Sequence, residues 1–370
     1  DEIAWGTIGN ASTSEGHFFE AINAAGVLQI PMVISVWDDG YGISVHSKHQ
    51  TTKENISEIL KGFQRDKKNK GFEIIKVKGW DYPALNEAYE KAEKIARKEH
   101  VPVLVHVTEM TQPQGHSTSG SHERYKSKDR LQWENDYDCI ELFKEWLVAN
   151  SIASNDELTL MRADIKKEVS KQKNMAWKAY QKPILEELNQ TVVLLDKLIE
   201  ESPNGVFIKP IKENLEFDAK LNPHRKNIFV AIRSALRLVR GEDTNAKAQL
   251  KQMLSNWNTQ NQERYSSHLY SNSEQSILKV KEVRPSYNDQ SEEVDARVIL
   301  RDNFERILAD KPEVLIFGED SGQIGGVNQG LEGLQQKFGE LRVSDTGIRE
   351  ATILGQGIGM AMRGLRPIAE

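Results

Sequence analysis

Two polar side chains that could bind a divalent cation, Asn10 and Asp39, follow two segments that are typical of buried strands. In a parallel α/β sheet the carboxyl ends of neighbouring strands meet at one edge, and ligands bind there. Magnesium takes an octahedral set of oxygen ligands, a few from the protein and the rest from phosphate and water. The amide oxygen of Asn10, the carboxylate of Asp39 and a backbone carbonyl near Tyr41 could be among them. The sequence therefore predicts a site for a divalent cation and phosphate at this edge.

The elements that must position these residues are a polar loop, a helix and a strand. The loop "TIGNASTSEGHFFEA" runs into an amphipathic helix predicted from Ser14 to Gln29, and the strand follows from Met32. The free N–H groups and the dipole of a helix N-terminus attract anions, so this helix could hold phosphates. A plain turn with a helix cap is the alternative on the loop alone.

The order of predicted elements divides the chain into three parts. Residues 1–145 alternate strands and helices, which is typical of a doubly wound α/β fold, with predicted helices near Lys53–Phe63 and at Tyr82–Glu99. Residues 146–290 are predicted as a charged helical region to about Ser255 and then a polar linker over 256–276. Residues 291–370 begin a second α/β domain. The charge runs of the helical part are interpreted as solvated faces.

The loop and the strand end together resemble the thiamine diphosphate motif in the α subunit of the 2-oxoacid dehydrogenase decarboxylating component. The matching residues are "SEG…EA.N.A" and "GYGIS", and the spacing of 29 residues from Asn10 to Asp39 agrees with that family. The chain departs from the family by carrying "GNA" where an acidic residue stands and "DD" where asparagines stand. One carboxylate and one amide are still available to the metal, but the amide stands at position 10 and the carboxylate at position 39. The resemblance implies cofactor binding by Gly9, Asn10, Ala11 and Ser12, and metal binding by Asn10, Asp39 and Tyr41. The alternative is a lapsed site with two unrelated substitutions.

The carboxyl-terminal segment resembles the β subunit of the same component. It matches the pattern "GED.G…GGV…GL…FG..RV.DT.I.E..I.G.GIG.A..GLRP..E" at nearly every fixed position, so the chain resembles both subunits fused in one polypeptide. In this family the glutamate of "I.E" hydrogen-bonds the pyrimidine ring of the cofactor and promotes loss of its C2 proton. The resemblance assigns this catalytic role to Glu350 and places Glu319 of "GED" at the cofactor. A structural cap of the helix "EATILGQG" is the alternative for Glu350.

A histidine in the loop "GHSTSGSHERYK" is the second catalytic candidate. An imidazole titrates near neutral pH and can exchange protons with a substrate carbonyl, although most loop histidines are merely solvated. The match to the family's "GHSTS" implies that His116 assists acyl transfer to a lipoyl group. Ser117 matches a position that is phosphorylated in some relatives. The arginine that usually precedes this loop is absent, because "TQPQ" stands there, and this leaves the anchoring of the loop unexplained.

The resemblance implies oxidative decarboxylation of a 2-oxoacid with thiamine diphosphate and Mg²⁺, and acyl transfer to a lipoyl-bearing acyltransferase component. Branched-chain substrates are favoured over pyruvate. Because the cofactor lies at an interface in this family, a homodimer of fused chains is expected. Two alternatives stay open: another thiamine enzyme of the transketolase or acetoin-cleaving type, and an inactive chain that keeps the fold. Both ends of the sequence lie where a sheet would continue, so we expect part of the α-like domain to be missing and the β-like domain to be only begun.

The composition argues against several other classes of protein. A formal net charge of −6 over 370 residues gives no reason to expect nucleic acid or an acidic membrane surface as a partner. The single cysteine, Cys139, cannot form an internal disulfide, which favours a reducing, cytoplasmic location. No run approaches the roughly 18 apolar residues that a membrane-spanning helix requires.

Overall fold

The computed structural model describes residues 2–113, 116 and 122–370 and contains two compact units. The first unit combines Asp1–Asn155 with Asp289–Glu370, and the second covers Asp156–Asn288. Both α/β segments of the chain therefore belong to one unit.

The amino-terminal α/β segment is built on a parallel sheet. Its elements are β1 (Ala4–Gly9), α1 (Gly16–Leu28), β2 (Met32–Trp37), β3 (Tyr41–Gly42), β4 (Val45–His46), α2 (Ile56–Ile59), β5 (Glu73–Lys78), α3 (Tyr82–Glu99), β6 (Val103–Thr108), α4 (Lys128–Asp136) and α5 (Cys139–Ala149). The strands β1, β2, β6 and β5 lie in that order, and each pairs with its neighbour in parallel. The carboxyl ends of β1, β2 and β6 consequently lie side by side.

The two faces of this sheet are covered by different helices because successive residues of a strand point to opposite faces. Helix α3 covers one face, where Ala92 and Ala96 pack with Val103 and Val105 of β6. Helices α1 and α2 cover the other face, in a cluster that includes Phe18, Ile22, Val36, Ile56 and Leu104. The sheet is thus a three-layer α/β core, as the alternating pattern predicts.

The helix predicted near Lys53–Phe63 is wrong in extent. The structure has only the four-residue α2 there, between 3₁₀ turns at Thr52–Glu54 and Leu60–Phe63. Lys53 and Glu54 have positive φ angles of 60° and 54°, which a right-handed helix cannot contain. The side chain of Asn55 then accepts the Glu58 N–H and starts α2.

The helical unit consists of long helices around one apolar core. Its helices are α6 (Asn155–Glu201), α7 (Gly205–Leu221), α8 (Arg225–Leu238) and α9 (Asn245–Ser266). The linker predicted over residues 256–276 is wrong in its first half, because α9 continues to Ser266. Trp257 explains the continuation, since it is 7% exposed and packs into the core of this unit. Within the part of the chain that the structure describes, each helix is too short or too polar to cross a membrane.

The carboxyl-terminal α/β segment contains a smaller parallel sheet. Its elements are α10 (Ala296–Asp310), β7 (Val314–Gly318), α11 (Leu334–Phe338), β8 (Val343–Asp345), α12 (Glu350–Met362) and β9 (Arg366–Ala369). Strand β7 lies between β8 and β9, and both pairings are parallel. Helix α12 contacts α1 of the amino-terminal segment, so the two α/β segments pack together within the first unit.

Candidate functional site

A cavity of about 630 Å³ lies at the carboxyl ends of β1 and β2. A volume of this order is usual for a site that takes a small molecule or cofactor. Most of the predicted site residues line it, namely the cofactor and metal candidates Gly9, Asn10, Ala11, Ser12, Asp39 and Tyr41 and the catalytic candidate His116. The structure therefore brings these seven together, although they come from three separate stretches of the chain.

Asn10 is positioned by the end of β1. Its backbone N–H donates to the carbonyl oxygen of Trp37 at 3.0 Å, which extends the β1–β2 pairing by one step. Its own carbonyl accepts the Thr13 hydroxyl at 2.6 Å. The residue is 7% exposed, and its side chain makes no capping hydrogen bond to the 3₁₀ turn Ala11–Ser14 that follows. The amide oxygen is consequently free of that turn and can serve a ligand in the cavity.

Asp39 is positioned by a tight turn after β2. Its Oδ1 atom accepts the Tyr41 N–H at 3.0 Å, which leaves Oδ2 for a further ligand. Burial raises the pKa of this carboxyl group, while the hydrogen bond from Tyr41 and the nearby Lys126 ammonium act in the opposite direction. A cation in the cavity would favour the charged carboxylate, because an opposite charge nearby lowers the pKa of a carboxyl group.

The donor set at this cavity fits Mg²⁺ held together with a diphosphate. Among residues 2–113, 116 and 122–370 there is no cluster of three or more His, Cys, Asp or Glu that could hold a metal by itself. The predicted metal ligands at this cavity are the Asp39 carboxylate, the Asn10 amide and a backbone carbonyl, which are hard oxygen ligands, and Glu15 adds a second carboxylate to the lining. Such a partial set suits magnesium, since magnesium commonly takes its remaining ligands from phosphate and water.

Asp38, the first aspartate of "DD", pairs with a buried histidine, His106, which the sequence motifs did not identify. His106 of β6 is completely buried, and its Nε2 atom lies 2.9 Å from Oδ2 of Asp38. Its Nδ1 atom lies 2.9 Å from the Ser57 hydroxyl. Asp38 Oδ1 also accepts the Gly40 N–H at 2.9 Å. Asp38 is thus occupied by protein groups, and Asp39 is the aspartate that faces the cavity. The sequence signal that could have predicted this buried pair is a histidine inside the otherwise apolar run "VLVHV".

His116 lines the cavity and is exposed. Its backbone forms a hydrogen bond with the Tyr125 hydroxyl, and the ring of Tyr125 lies 5.7 Å from that of Tyr41. This places His116 on the same side of the sheet as the turn that carries Asp39. Ser117 lies outside the described residues.

Glu319 and Glu350 occupy the carboxyl-terminal segment and do not line this cavity. Glu319 follows β7 directly and is half-buried, whereas Glu350 is the first residue of α12 and is exposed. The α-like residues of the predicted site therefore line the cavity, and the two β-like residues do not.

One residue that the sequence reasoning missed joins the two segments. The Glu20 carboxylate of α1 accepts both the backbone N–H of Thr352, at 2.8 Å, and its hydroxyl, at 2.6 Å. A carboxylate beside the first turn of a helix, as Glu20 is beside that of α12, also interacts favourably with the helix dipole. Glu20 therefore caps α12 from another helix, two residues after Glu350.

Substituting Glu20 by alanine should lower the melting temperature at neutral pH and have less effect in acid. The hydrogen bonds from Thr352 lower the pKa of Glu20. The stabilisation is consequently present above the ordinary pKa of a glutamate and is lost as the pH falls through the lowered value. Thermal unfolding of the unsubstituted chain and of Glu20→Ala across this pH range measures the difference. Glu87→Ala, at an exposed position of α3, is the control, and a difference that stays constant with pH would contradict the prediction.

Two family models match this chain. One, described as "Dehydrogenase E1 component", matches residues 1–185, which is half of the chain. The other, described as "Transketolase, pyrimidine binding domain", matches residues 292–370. The matches follow the order in which the α-like and β-like patterns occur in the sequence.

Curated relatives match the same two parts. The chain is 29% identical to 2-oxoisovalerate dehydrogenase subunit alpha 1, mitochondrial, of Arabidopsis thaliana over 201 residues, which cover 54% of this chain and 41% of that protein. It is 56% identical to pyruvate dehydrogenase E1 component subunit beta of Leifsonia xyli subsp. xyli over 64 residues, which cover 17% of this chain and 19% of that protein. The chain thus spans less than half the length of each of these relatives.

Proposed function

Because this chain belongs to the dehydrogenase E1 component family and joins an α-type and a β-type segment in one polypeptide, we propose that it decarboxylates a 2-oxoacid oxidatively with thiamine diphosphate. The acyl group would then pass to a lipoyl group of an acyltransferase component. The observation that carries this proposal is the common cavity of Asn10, Asp39, Tyr41 and His116 at the carboxyl ends of β1 and β2.

The amino-terminal residues have binding roles in this proposal. Asn10, Asp39 and the Tyr41 carbonyl hold Mg²⁺, and Gly9, Ala11 and Ser12 face the diphosphate. The free N–H groups at the start of α1 would stabilise the negative charge of a bound diphosphate, as helix N-termini do. Gly42 allows the loop and the hairpin to approach closely, because a Cβ atom there would lie 2.6 Å from that of Ala11.

Proton handling is assigned to two other residues. When bound, the cofactor supplies a nucleophilic carbon and an electron sink for the loss of CO₂. Glu350 would hold a proton at the pyrimidine ring nitrogen, and Glu319 would contact the cofactor. His116 donates or accepts a proton at the substrate carbonyl oxygen and assists acyl transfer. Because Glu319 and Glu350 do not line the cavity, we propose that a second copy of the chain brings them to the cofactor in a homodimer.

The proposed substrate is a branched-chain 2-oxoacid, with pyruvate as the second candidate. The α-type relative is named for 2-oxoisovalerate and the β-type relative for pyruvate, so the names point to both. The "GHSTS" and "FGED…GGV" sequences favour the branched-chain substrate.

Turnover with an artificial electron acceptor tests the proposal, because it does not need the acyltransferase. The purified chain with Mg²⁺ and thiamine diphosphate should oxidise 2-oxoisovalerate faster than pyruvate. Cofactor binding combined with activity on a ketose or acetoin, and none on either 2-oxoacid, would support another class of thiamine enzyme. A folded chain that binds no cofactor would contradict the proposal.

A further inference from the structure

A network of charged side chains, two of them buried, lies behind the turn that carries Asp39. The Lys126 ammonium donates to both carboxylate oxygens of Glu134, at 2.7 and 2.8 Å, and the Nε atom of Arg130 donates to Oε1 at 2.8 Å. The side chain of Glu134 is completely buried and that of Lys126 is 1% exposed. We propose that Lys126, Arg130 and Glu134 form a clamp that positions the metal-binding turn and the His116 segment, an inference that rests on the function proposed above.

The clamp holds the backbone of the turn directly. The Nη2 atom of Arg130 donates to the carbonyl oxygen of Asp39 at 2.7 Å. One guanidinium therefore joins the buried Glu134 carboxylate to the residue that carries the proposed metal ligand. A lysine could not make both contacts in this geometry, because its ammonium is a single point of donation.

The clamp also holds the ring of Tyr41, whose carbonyl is a further proposed ligand. The Lys126 ammonium lies 5.1 Å and the Arg130 guanidinium 5.6 Å from the centre of this ring. Both distances are within the range of a cation–π interaction. The backbone and the aromatic side chain of the turn are thus fixed from the same side.

Tyr125 extends the clamp to His116. It precedes Lys126 in the chain, lies against the ring of Tyr41 and hydrogen-bonds the backbone of His116. The segment that carries the proposed catalytic histidine and the turn that carries the proposed metal ligands therefore share one support. Among the described residues of this loop, His116 is held by this contact and needs no arginine before it.

Burial of the Lys126–Glu134 ion pair is unfavourable unless the geometry fixes both groups, whereas the side chain of Arg130 is 28% exposed. Arg130 also lies over the ring of Trp133 in its own helix, at 4.6 Å. The network additionally contacts Asp39 and Tyr41 outside that helix, which distinguishes it from an ion pair that merely fastens a helix. A matched contrast exists in the helical unit, where Arg225 donates to Glu187 at 2.8 Å and the side chains are 17% and 12% exposed.

Hydrogen exchange of the cofactor-free chain tests the clamp independently of activity. Glu134→Gln removes the only carboxylate of the network, so exchange should accelerate in residues 38–46 and 122–137. Arg130→Lys is the milder second variant and should accelerate exchange in 38–46 while Lys126 and Glu134 stay paired. Glu187→Gln is the control, and it should affect the helical unit and leave both segments unchanged.

Magnesium dependence is the second readout. In Glu134→Gln and Arg130→Lys, the Mg²⁺ concentration that half-saturates thiamine diphosphate binding should rise about tenfold, the lower range for residues that orient metal ligands. Glu187→Gln should leave it unchanged. Unaltered exchange in residues 38–46 in Arg130→Lys would overturn the clamp. If the unsubstituted chain binds no cofactor, the proposed function fails, and the exchange pattern alone decides whether the clamp exists.

Discussion

Asp39→Asn should weaken Mg²⁺-dependent binding of thiamine diphosphate by about a hundredfold or more, since the cavity lining offers one carboxylate from the predicted metal ligands. The variant leaves two amides at the metal, and neither carries the negative charge that a hard divalent cation favours. Calorimetric titration of the cofactor at fixed Mg²⁺ measures the loss. Asp129→Asn, an equal change of charge at an exposed position of α4, is the control.

A second substitution should restore most of this binding. Asn10→Asp combined with Asp39→Asn returns one carboxylate and one amide, now in the arrangement that the family carries. We expect affinity within about tenfold of the unsubstituted chain. This recovery depends on Asn10 and Asp39 serving the same ion, as their shared cavity indicates. A double variant that binds as weakly as Asp39→Asn alone would show that the two positions act independently. The carboxylate and the amide at positions 10 and 39 would then not compensate for each other.

Glu350→Gln should lower turnover of the preferred 2-oxoacid by about 10²–10⁴-fold, the usual contribution of a positioned acid–base group. Glutamine keeps the size of the side chain but cannot hold and release the proton at the pyrimidine nitrogen. Since Glu350 is exposed at the start of α12, we expect the melting temperature to stay unchanged. Steady-state turnover with an artificial acceptor and a parallel thermal melt separate the two effects.

Glu340→Gln provides the matched control for Glu350. It changes an exposed carboxyl group of the same α/β segment and should leave turnover unaltered. Retention of full turnover by Glu350→Gln, in a preparation that binds cofactor normally, would contradict the catalytic assignment. The remaining interpretation of Glu350 would then be a structural one at the start of α12.

Local sequence patterns predicted the elements that carry the site. The helix Tyr82–Glu99 and the strand end at Trp37 have the predicted bounds because amphipathic spacing and a continuous apolar run each favour one conformation. The common cavity of Asn10 and Asp39 was predictable because their distance along the chain follows from one strand–helix–strand unit. The resemblance to the family motif then implied that these two residues bind the metal.

The supports of the site could not be predicted in the same way. Lys126 and Glu134 lie eight residues apart in a segment whose charge pattern is typical of a solvated surface, yet both side chains are buried. The pairing of His106 with Asp38 spans 68 residues and joins two strands through the sheet register. Such contacts depend on tertiary packing, which periodicity does not report. The extension of α9 past Ser255 has the same cause, because Trp257 is drawn into the helical core.

The most direct test of the central claim is a calorimetric titration of thiamine diphosphate into the unsubstituted chain, first with Mg²⁺ and then with a chelator. If Asn10, Asp39 and the Tyr41 carbonyl hold a magnesium–diphosphate group, binding is saturable with Mg²⁺ and is lost with the chelator. Equal binding in both conditions, or no binding by a chain whose thermal melt shows that it is folded, would contradict the claim.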